Sequence, residues 1–147
     1  MTGESFRPRD TDLEALLVIL VKEHALMKEG LRRAREAAER RDFESVSLAL
    51  KELGPVFRQH IADEEAQVLR FLIGQLGVEG ADYEIKVFQQ HRPIYQLMEG
   101  VARLAAMSAA ELGSNQAKLD ALFEEHTRVE EQHVFPRVAS LLKDQGA

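Results

Sequence analysis

The stretch FRQHIADEEAQVL, residues 57–69, decides the fold because a closely related stretch, FEEHTRVEEQHVF, occupies residues 123–135. In each stretch a phenylalanine stands three residues before a histidine, and a glutamate stands four residues after it. Residues four apart lie one turn apart on the same face of an α-helix. The two stretches therefore predict two helices of one design, each presenting a histidine and a glutamate together.

Two single histidines extend this pattern into an internal repeat. Val21 stands three residues before His24, and Phe88 stands three residues before His91. An apolar residue on the same face places each histidine on the buried stripe of an amphipathic helix. The chain therefore reads as two similar helical hairpins, each with one single histidine and one histidine–glutamate pair.

The apolar periodicity predicts four helices and no sheet. The expected helices cover, approximately, residues 11–40, 43–76, 82–107 and 115–143. Four helices of this length with short loops predict an all-α, up-down-up-down antiparallel four-helix bundle. We expect a flexible or loosely docked N-terminal arm, residues 1–10, followed by a single bundle domain, residues 11–147.

Particular residues mark the expected helix ends and irregularities. The expected N-caps are Thr11 or Asp12 for the first helix, Asp42 for the second and Ser114 for the fourth. The run of glycines near residue 77 is expected to end the second helix. Prolines are expected to kink or break helices, and the candidates are Pro55, Pro93 and Pro136.

Composition excludes several classes of protein. The length of 147 residues fits one domain, and the lack of cysteine excludes disulfides, Fe–S clusters and thiolate zinc sites. A net charge of −6 without a basic stripe argues against nucleic acid as a partner. The first ten residues lack the apolar segment of a signal peptide, and no apolar run is long enough for a membrane span. We therefore expect a cytoplasmic protein without a membrane partner.

Counting from the predicted turns places the repeated histidines and glutamates at similar heights in the bundle, hence in one layer of its core. Burying imidazoles and carboxylates is costly unless they are paired or bind a metal. These ligands suit iron or manganese, and six are too many for one tetrahedral zinc. The sequence therefore predicts a di-metal centre whose ligands are His24, His60, Glu64, His91, His126 and Glu130.

The expected cofactor is two metal ions, iron or manganese. If each glutamate bridges both metals and each metal takes two histidines, each metal has four protein donors. An oxo, hydroxo or water bridge adds a fifth, which leaves room for a small exogenous ligand. A ferritin-like site would need a Glu-x-x-His motif in both halves of the chain. Glu130-x-x-His133 is such a motif, but the first half has Gln67 in place of the histidine, so this interpretation is rejected.

The order His, His-x-x-x-Glu, His, His-x-x-x-Glu, together with the phrase EEQHVFP at residues 130–136, resembles the hemerythrin-like, or HHE cation-binding, family over residues 12–143. That resemblance implies a four-helix bundle with a non-haem di-iron centre that meets O2 or a related small oxidant. The O2-carrying hemerythrins have a histidine and an aspartate where this chain has Tyr95 and Glu131. The branch with the present ligand set is associated with peroxide, nitric oxide, oxygen sensing or iron handling.

Other residues near the predicted site have two interpretations each. Tyr95 is either a ligand or neighbour of the centre, or a core tyrosine with a hydrogen-bonded hydroxyl. His133 either donates to the site or lies partly exposed without a role. Glu65 and Glu131, each one residue past a ligand, are expected to be surface charges. Three phenylalanines are either pocket walls or plain core, namely Phe57, Phe88 and Phe123.

Three functions remain open at this point. The centre could bind O2, NO or peroxide as a sensor read by an unknown protein partner. It could instead turn over peroxide or NO as an oxidoreductase in oxidative or nitrosative stress. The third function is iron handling, or a structural metal without redox turnover. Enzyme activity is thus undecided by the sequence.

Overall fold

The computed structural model describes residues 7–107 and 110–146, which form helices and contain no strand. The elements are α1 (Leu13–Glu39), α2 (Phe43–Asp63), π1 (Glu64–Leu69), α3 (Arg70–Gly80), α4 (Asp82–Gln89), α5 (His91–Ala106), α6 (Leu112–Val129), π2 (Glu130–Val134) and α7 (Phe135–Gly146). They make four helical rods: α1; α2 with π1 and α3; α4 with α5; and α6 with π2 and α7. The all-helical prediction with four helices is confirmed.

The four rods enclose a common interior. α1 packs on α2, α2 on α5, α5 on α6, and α6 on α1, as expected for a four-helix bundle. Two apolar clusters fill that interior. The first includes Met27, Leu31, Phe57, Ile94, Met98, Leu119 and Phe123. The second includes Leu16, Leu20, Val68, Leu72, Phe88, Val134 and Val138. Over the described ranges, no helix is both long and apolar enough to cross a membrane.

Two of the predicted N-caps are confirmed. A carboxylate oxygen of Asp12 accepts from the backbone N–H of Ala15 at 2.8 Å, at the start of α1. At the start of α2, Asp42 accepts from the backbone N–H of Ser45 at 3.2 Å and from the Ser45 hydroxyl at 2.6 Å. Each cap satisfies a donor that the first turn of a helix leaves without a partner.

The predicted start of the fourth helix was wrong. α6 begins at Leu112 rather than near residue 115, and Glu111 rather than Ser114 is its N-cap residue. The Ser114 hydroxyl donates to the backbone carbonyl of Glu111 at 3.1 Å. Serine can make this local bond inside a first turn as readily as it can cap one. The sequence signal for a cap therefore pointed to a residue already inside the helix.

The prolines behave differently from one another. α2 continues through Pro55, so a break at that position is not found. Pro93 lies in the first turn of α5, just after the chain leaves helical bonding at Gln90. Pro136 lies in the first turn of α7, just after π2. At these two starts the missing proline N–H removes little, because first-turn donors have no partner within a regular α-helix.

The predicted arm lies partly outside the described residues, which begin at Arg7. Its described part contacts the second rod. The side-chain amide of Gln59 donates to the carbonyl of Arg7 at 2.7 Å, and that of Gln67 donates to the carbonyl of Arg9 at 2.8 Å. The backbone N–H of Arg9 donates to Asp63 at 2.7 Å. These bonds place Arg9 beside the middle of the bundle.

Gly77 interrupts α3 with a non-helical backbone conformation, φ 75° and ψ 168°. Residues other than glycine adopt this region at a cost of about 1–3 kcal/mol. We therefore expect Gly77→Ala to lower the free energy of unfolding by about that amount, measured by urea denaturation.

Gly74→Ala is the matched control. Gly74 lies in the same helix, and at both glycines an added Cβ would meet nothing within 4 Å. Alanine at this helical position should be neutral or stabilise by up to about 1 kcal/mol. Equal losses of stability in the two variants would show that the backbone at Gly77 places no special demand on the residue.

Candidate metal centre

The structure brings all six predicted side chains together between the two apolar clusters. In every rod the site residues stand between residues of one cluster and residues of the other. None of the six is more than 3% exposed, and their exposures are His24 1%, His60 2%, Glu64 0%, His91 3%, His126 2% and Glu130 0%. The bundle thus contains a buried polar layer, here called the His/Glu cluster.

The His/Glu cluster divides into two overlapping groups of four. One group is His24, His60, Glu64 and Glu130, and the other is Glu64, His91, His126 and Glu130. Within each group, one ligand atom per residue lies within 4.8 Å of the others. Glu64 and Glu130 belong to both groups. Each group could hold a metal ion, since imidazole nitrogen and carboxylate oxygen are common ligands of transition metals.

The Nε2 atoms of the histidines face the two carboxylates. The Nε2–oxygen distances are 2.9 Å for His24 to Glu130, 3.3 Å for His60 to Glu64, 2.9 Å for His91 to Glu64 and 3.0 Å for His126 to Glu130. Each glutamate therefore lies between one histidine of the first hairpin and one of the second. This cross-connection makes the cluster a single unit rather than two separate pairs.

The other ring nitrogen of each histidine is held by an oxygen outside the cluster. The Nδ1–oxygen distances are 2.7 Å for His24 to Glu131, 2.9 Å for His60 to Glu23, 2.9 Å for His91 to Glu65 and 2.8 Å for His126 to Gln90. Ionised carboxylates and amide oxygens only accept, so Nδ1 must carry the hydrogen. In a neutral imidazole the lone pair is then on Nε2, which points into the cluster.

Several atoms of the cluster have no hydrogen-bond partner among the described residues. They are Nε2 of His24, His60 and His91, and both carboxylate oxygens of Glu64 and of Glu130. With the hydrogen of each neutral ring on Nδ1, the Nε2 atoms and the carboxylate oxygens are all acceptors. Buried polar atoms in proteins are nearly always satisfied. Lone pairs that converge without a donor would be satisfied by a cation, so the donor set fits a metal.

Protons compete with a metal for the same Nε2 atoms. Burial lowers the pKa of His60, but the carboxylates of Glu64 and Glu23 outweigh burial and raise it to about 10. Burial also lowers the pKa of His91, but the surrounding carboxylates outweigh burial and raise this pKa well above its usual value. At Glu130, burial raises the pKa, but the neighbouring histidines dominate and hold it well below its usual value.

Both π-helical segments begin at a glutamate of the cluster. π1 starts at Glu64 and π2 at Glu130, the same point of the internal repeat. A following proline is not the common cause, since Pro136 has no equivalent after π1. π-helical turns occur often at functional sites. Here each π-helical segment begins with two consecutive glutamates. The first glutamate belongs to the cluster, and the second accepts from Nδ1 of one of its histidines.

Aromatic rings cover the histidines. Phe88 stacks on His91 with ring centroids 5.2 Å apart, and Phe57 meets the same ring edge-on at 6.4 Å. Phe135 stacks on His24 at 5.7 Å. Phe57 and Phe88 thus contact a histidine of the cluster and also belong to the apolar clusters, as Phe123 does, so both interpretations apply to them. These rings keep the cluster in apolar surroundings.

Tyr95 and His133 lie outside the His/Glu cluster. Tyr95 stacks on Phe57 with centroids 6.2 Å apart, and Phe57 in turn meets the ring of His91. His133 is exposed, and its ring meets Tyr83 edge-on at 6.5 Å. These contacts do not identify Tyr95 or His133 as a metal ligand.

Sequence reasoning missed the four oxygens that hold Nδ1. Glu65 and Glu131 have side chains 49% and 35% exposed, in keeping with surface charges, yet each also accepts from a buried histidine. Glu23 and Gln90 had not been singled out. A signal was present, because each stands directly before a single histidine at the same place in the repeat.

An ion-pair group adjoins the cluster beside His60. Arg9 contacts Glu23 at 2.5 Å and Asp63 at 3.0 Å. Burial raises the pKa of Glu23, but His60 and Arg9 outweigh it and lower the pKa overall. Asp63 is fully buried. At the equivalent places of the second half stand Gln90 and Val129, which carry no charge.

No family model matches this chain, and no curated protein or solved structure matches it. The resemblance to the hemerythrin-like family therefore stays a prediction made from the ligand pattern. The geometry of the His/Glu cluster is the basis for assigning a function.

We expect zinc binding at about pH 7 to release protons from His60 and His91, because the raised pKa of each keeps it protonated there. Raising the pH should remove these protons and increase zinc affinity. Calorimetric titration in buffers of different ionisation enthalpy measures the release. A binding enthalpy that does not depend on the buffer, with an affinity that does not depend on pH, would contradict this.

Proposed function

We propose that this chain is a hemerythrin-like, up-down-up-down antiparallel four-helix bundle that holds two iron ions and binds or reacts with O2, peroxide or NO. Its role would be in sensing or in the response to oxidative or nitrosative stress. The observation that carries the proposal is the pair of four-ligand groups that share Glu64 and Glu130. Manganese is the alternative metal, and the cytoplasmic location stays a prediction.

The order of the apolar clusters along the chain supports the antiparallel topology. The first rod meets the second cluster at Leu20 before His24, and the first cluster at Met27 after it. The second rod meets the clusters in the opposite order, with Phe57 before its site residues and Val68 after them. The third rod repeats the order of the first, and the fourth that of the second. Reversal at each turn is what an up-down-up-down bundle requires.

The residues define two metal positions. The first position is held by His24 and His60, the second by His91 and His126, and Glu64 and Glu130 belong to both. Iron held by these histidines and carboxylates would supply redox chemistry toward a small ligand. The chain's own part is to point each Nε2 inward, to hold each Nδ1 hydrogen and to exclude water with apolar rings.

Burial decides which ligands suit the site. Since all six ligands are nearly inaccessible, only a small molecule fits beside them. This favours O2, NO or peroxide over larger substrates. The same burial also favours an alternative function, an iron-handling or structural bundle, because a well-shielded metal can hold helices together without turning over.

Removing a ligand tests the metal assignment. His60→Ala and Glu130→Ala should each lose most bound metal while keeping most of the helicity, because the apolar clusters remain. Loss of a ligand removes a donor and leaves a charged partner without its counterpart. Metal content by mass spectrometry and far-ultraviolet circular dichroism provide the two measurements.

His133→Ala is the matched control, since it removes an exposed histidine outside the cluster. It should keep its metal. Full metal occupancy in both His60→Ala and Glu130→Ala would contradict the ligand assignment. Equal loss from His133→Ala would show that metal binds at the surface.

Turnover separates the redox function from its alternative. The iron-loaded protein should change its visible spectrum on mixing with peroxide or NO, because the small ligand reaches the metals. Steady-state consumption of either would make the protein an enzyme, and a spectral change without consumption would make it a sensor. An iron-loaded protein that shows neither supports the iron-handling or structural function.

A further inference from the structure

The internal repeat fails at one of the oxygens that hold Nδ1. In the first position, His24 and His60 both donate to carboxylates, Glu131 and Glu23. In the second position, His91 donates to the carboxylate of Glu65, but His126 donates to the neutral amide oxygen of Gln90. Positions 23 and 90 are therefore matched in place and different in charge.

Glu23 differs from the other carboxylates in being buried. Its side chain is 9% exposed, whereas the side chains of Glu65 and Glu131 are 49% and 35% exposed. Water screens a charge strongly at the surface and weakly in the interior. The negative charge of Glu23 therefore acts on its histidine more strongly than the charges of the two more accessible glutamates act on theirs.

The positive charge of Arg9 does not cancel the excess negative charge beside the first position. The group Arg9, Glu23 and Asp63 contains one positive and two negative charges, a formal sum of −1. The equivalent pair in the second half, Gln90 and Val129, sums to zero. The first position therefore lies in a more negative environment than the second.

A carboxylate that accepts the Nδ1 hydrogen raises the basicity of a metal-binding histidine. A neutral amide orients the ring in the same way but polarises it less. We infer that the two metal positions are inequivalent, that the His24–His60 position fills first, and that Glu23 is the positioning residue responsible. This inference rests on the proposed function.

Zinc is a suitable probe because it is diamagnetic and accepts four ligands. The metal-free full chain, labelled with 15N in its histidines, is titrated with Zn(II) and followed by nuclear magnetic resonance. At one equivalent the ring signals of His24 and His60 should move to bound positions while those of His91 and His126 stay. The second affinity should be at least about 10-fold weaker than the first.

Two exchanges test Glu23 itself. Glu23→Gln keeps an amide oxygen for His60, as Gln90 does for His126, and should weaken the first step by about 10- to 100-fold. The double variant Glu23→Gln with Gln90→Glu preserves the net charge of the chain and should reverse the order, so that His91 and His126 fill first. A merely structural role for Glu23 would not reverse the order. Circular dichroism of the metal-free variants checks that each is folded.

The outcomes distinguish the inference from the proposed function. Two zinc ions that fill all four histidines together, or the His91–His126 position first, would overturn the inference and leave the dinuclear site standing. An order that stays the same in the folded double variant would overturn the role of Glu23. A folded chain that binds no zinc would overturn the inference, and one that also takes up neither iron nor manganese would overturn the proposed function with it.

Discussion

The constraint on which the structure depends is the burial of two carboxylates and four imidazoles between two apolar clusters. Glu64 and Glu130 are fully buried, in surroundings where an unpaired charge is costly. They are tolerated because the Nε2 atom of a histidine from each hairpin faces each of them. The same arrangement links all four rods through one polar layer. The packing of the four rods and the His/Glu cluster therefore depend on the same pairing of buried charges.

A layer of this kind can be satisfied by protons or by metal ions. The raised pKa of His60 and His91 shows that imidazolium can neutralise the carboxylates. The oxygens on Nδ1 fix the tautomer of each ring and raise its basicity, as the second partners of metal-binding histidines do. The fact that all four histidines have such a partner is what favours ligation over a plain polar core.

Much of this could be predicted from sequence because helical periodicity reports directly on burial. The four helices, the caps at Asp12 and Asp42 and the meeting of the six side chains all follow from spacing. Glu23 and Gln90 did not follow, because they lie about 100° around the helix from a ligand and their contacts are set by the neighbouring rod. The π segments were missed because one wide turn leaves no mark on an apolar pattern. Ser114 was misread because the same residue type serves as a cap and as a first-turn donor.

The most direct test of the central claim is the metal content per chain of tag-free protein after reconstitution with iron and, separately, with manganese. The account predicts about two metal ions per chain, since two groups of four ligands share two carboxylates. Metal well below one ion per chain under both conditions would contradict it, and the His/Glu cluster would then be a proton-neutralised polar core that holds the bundle together.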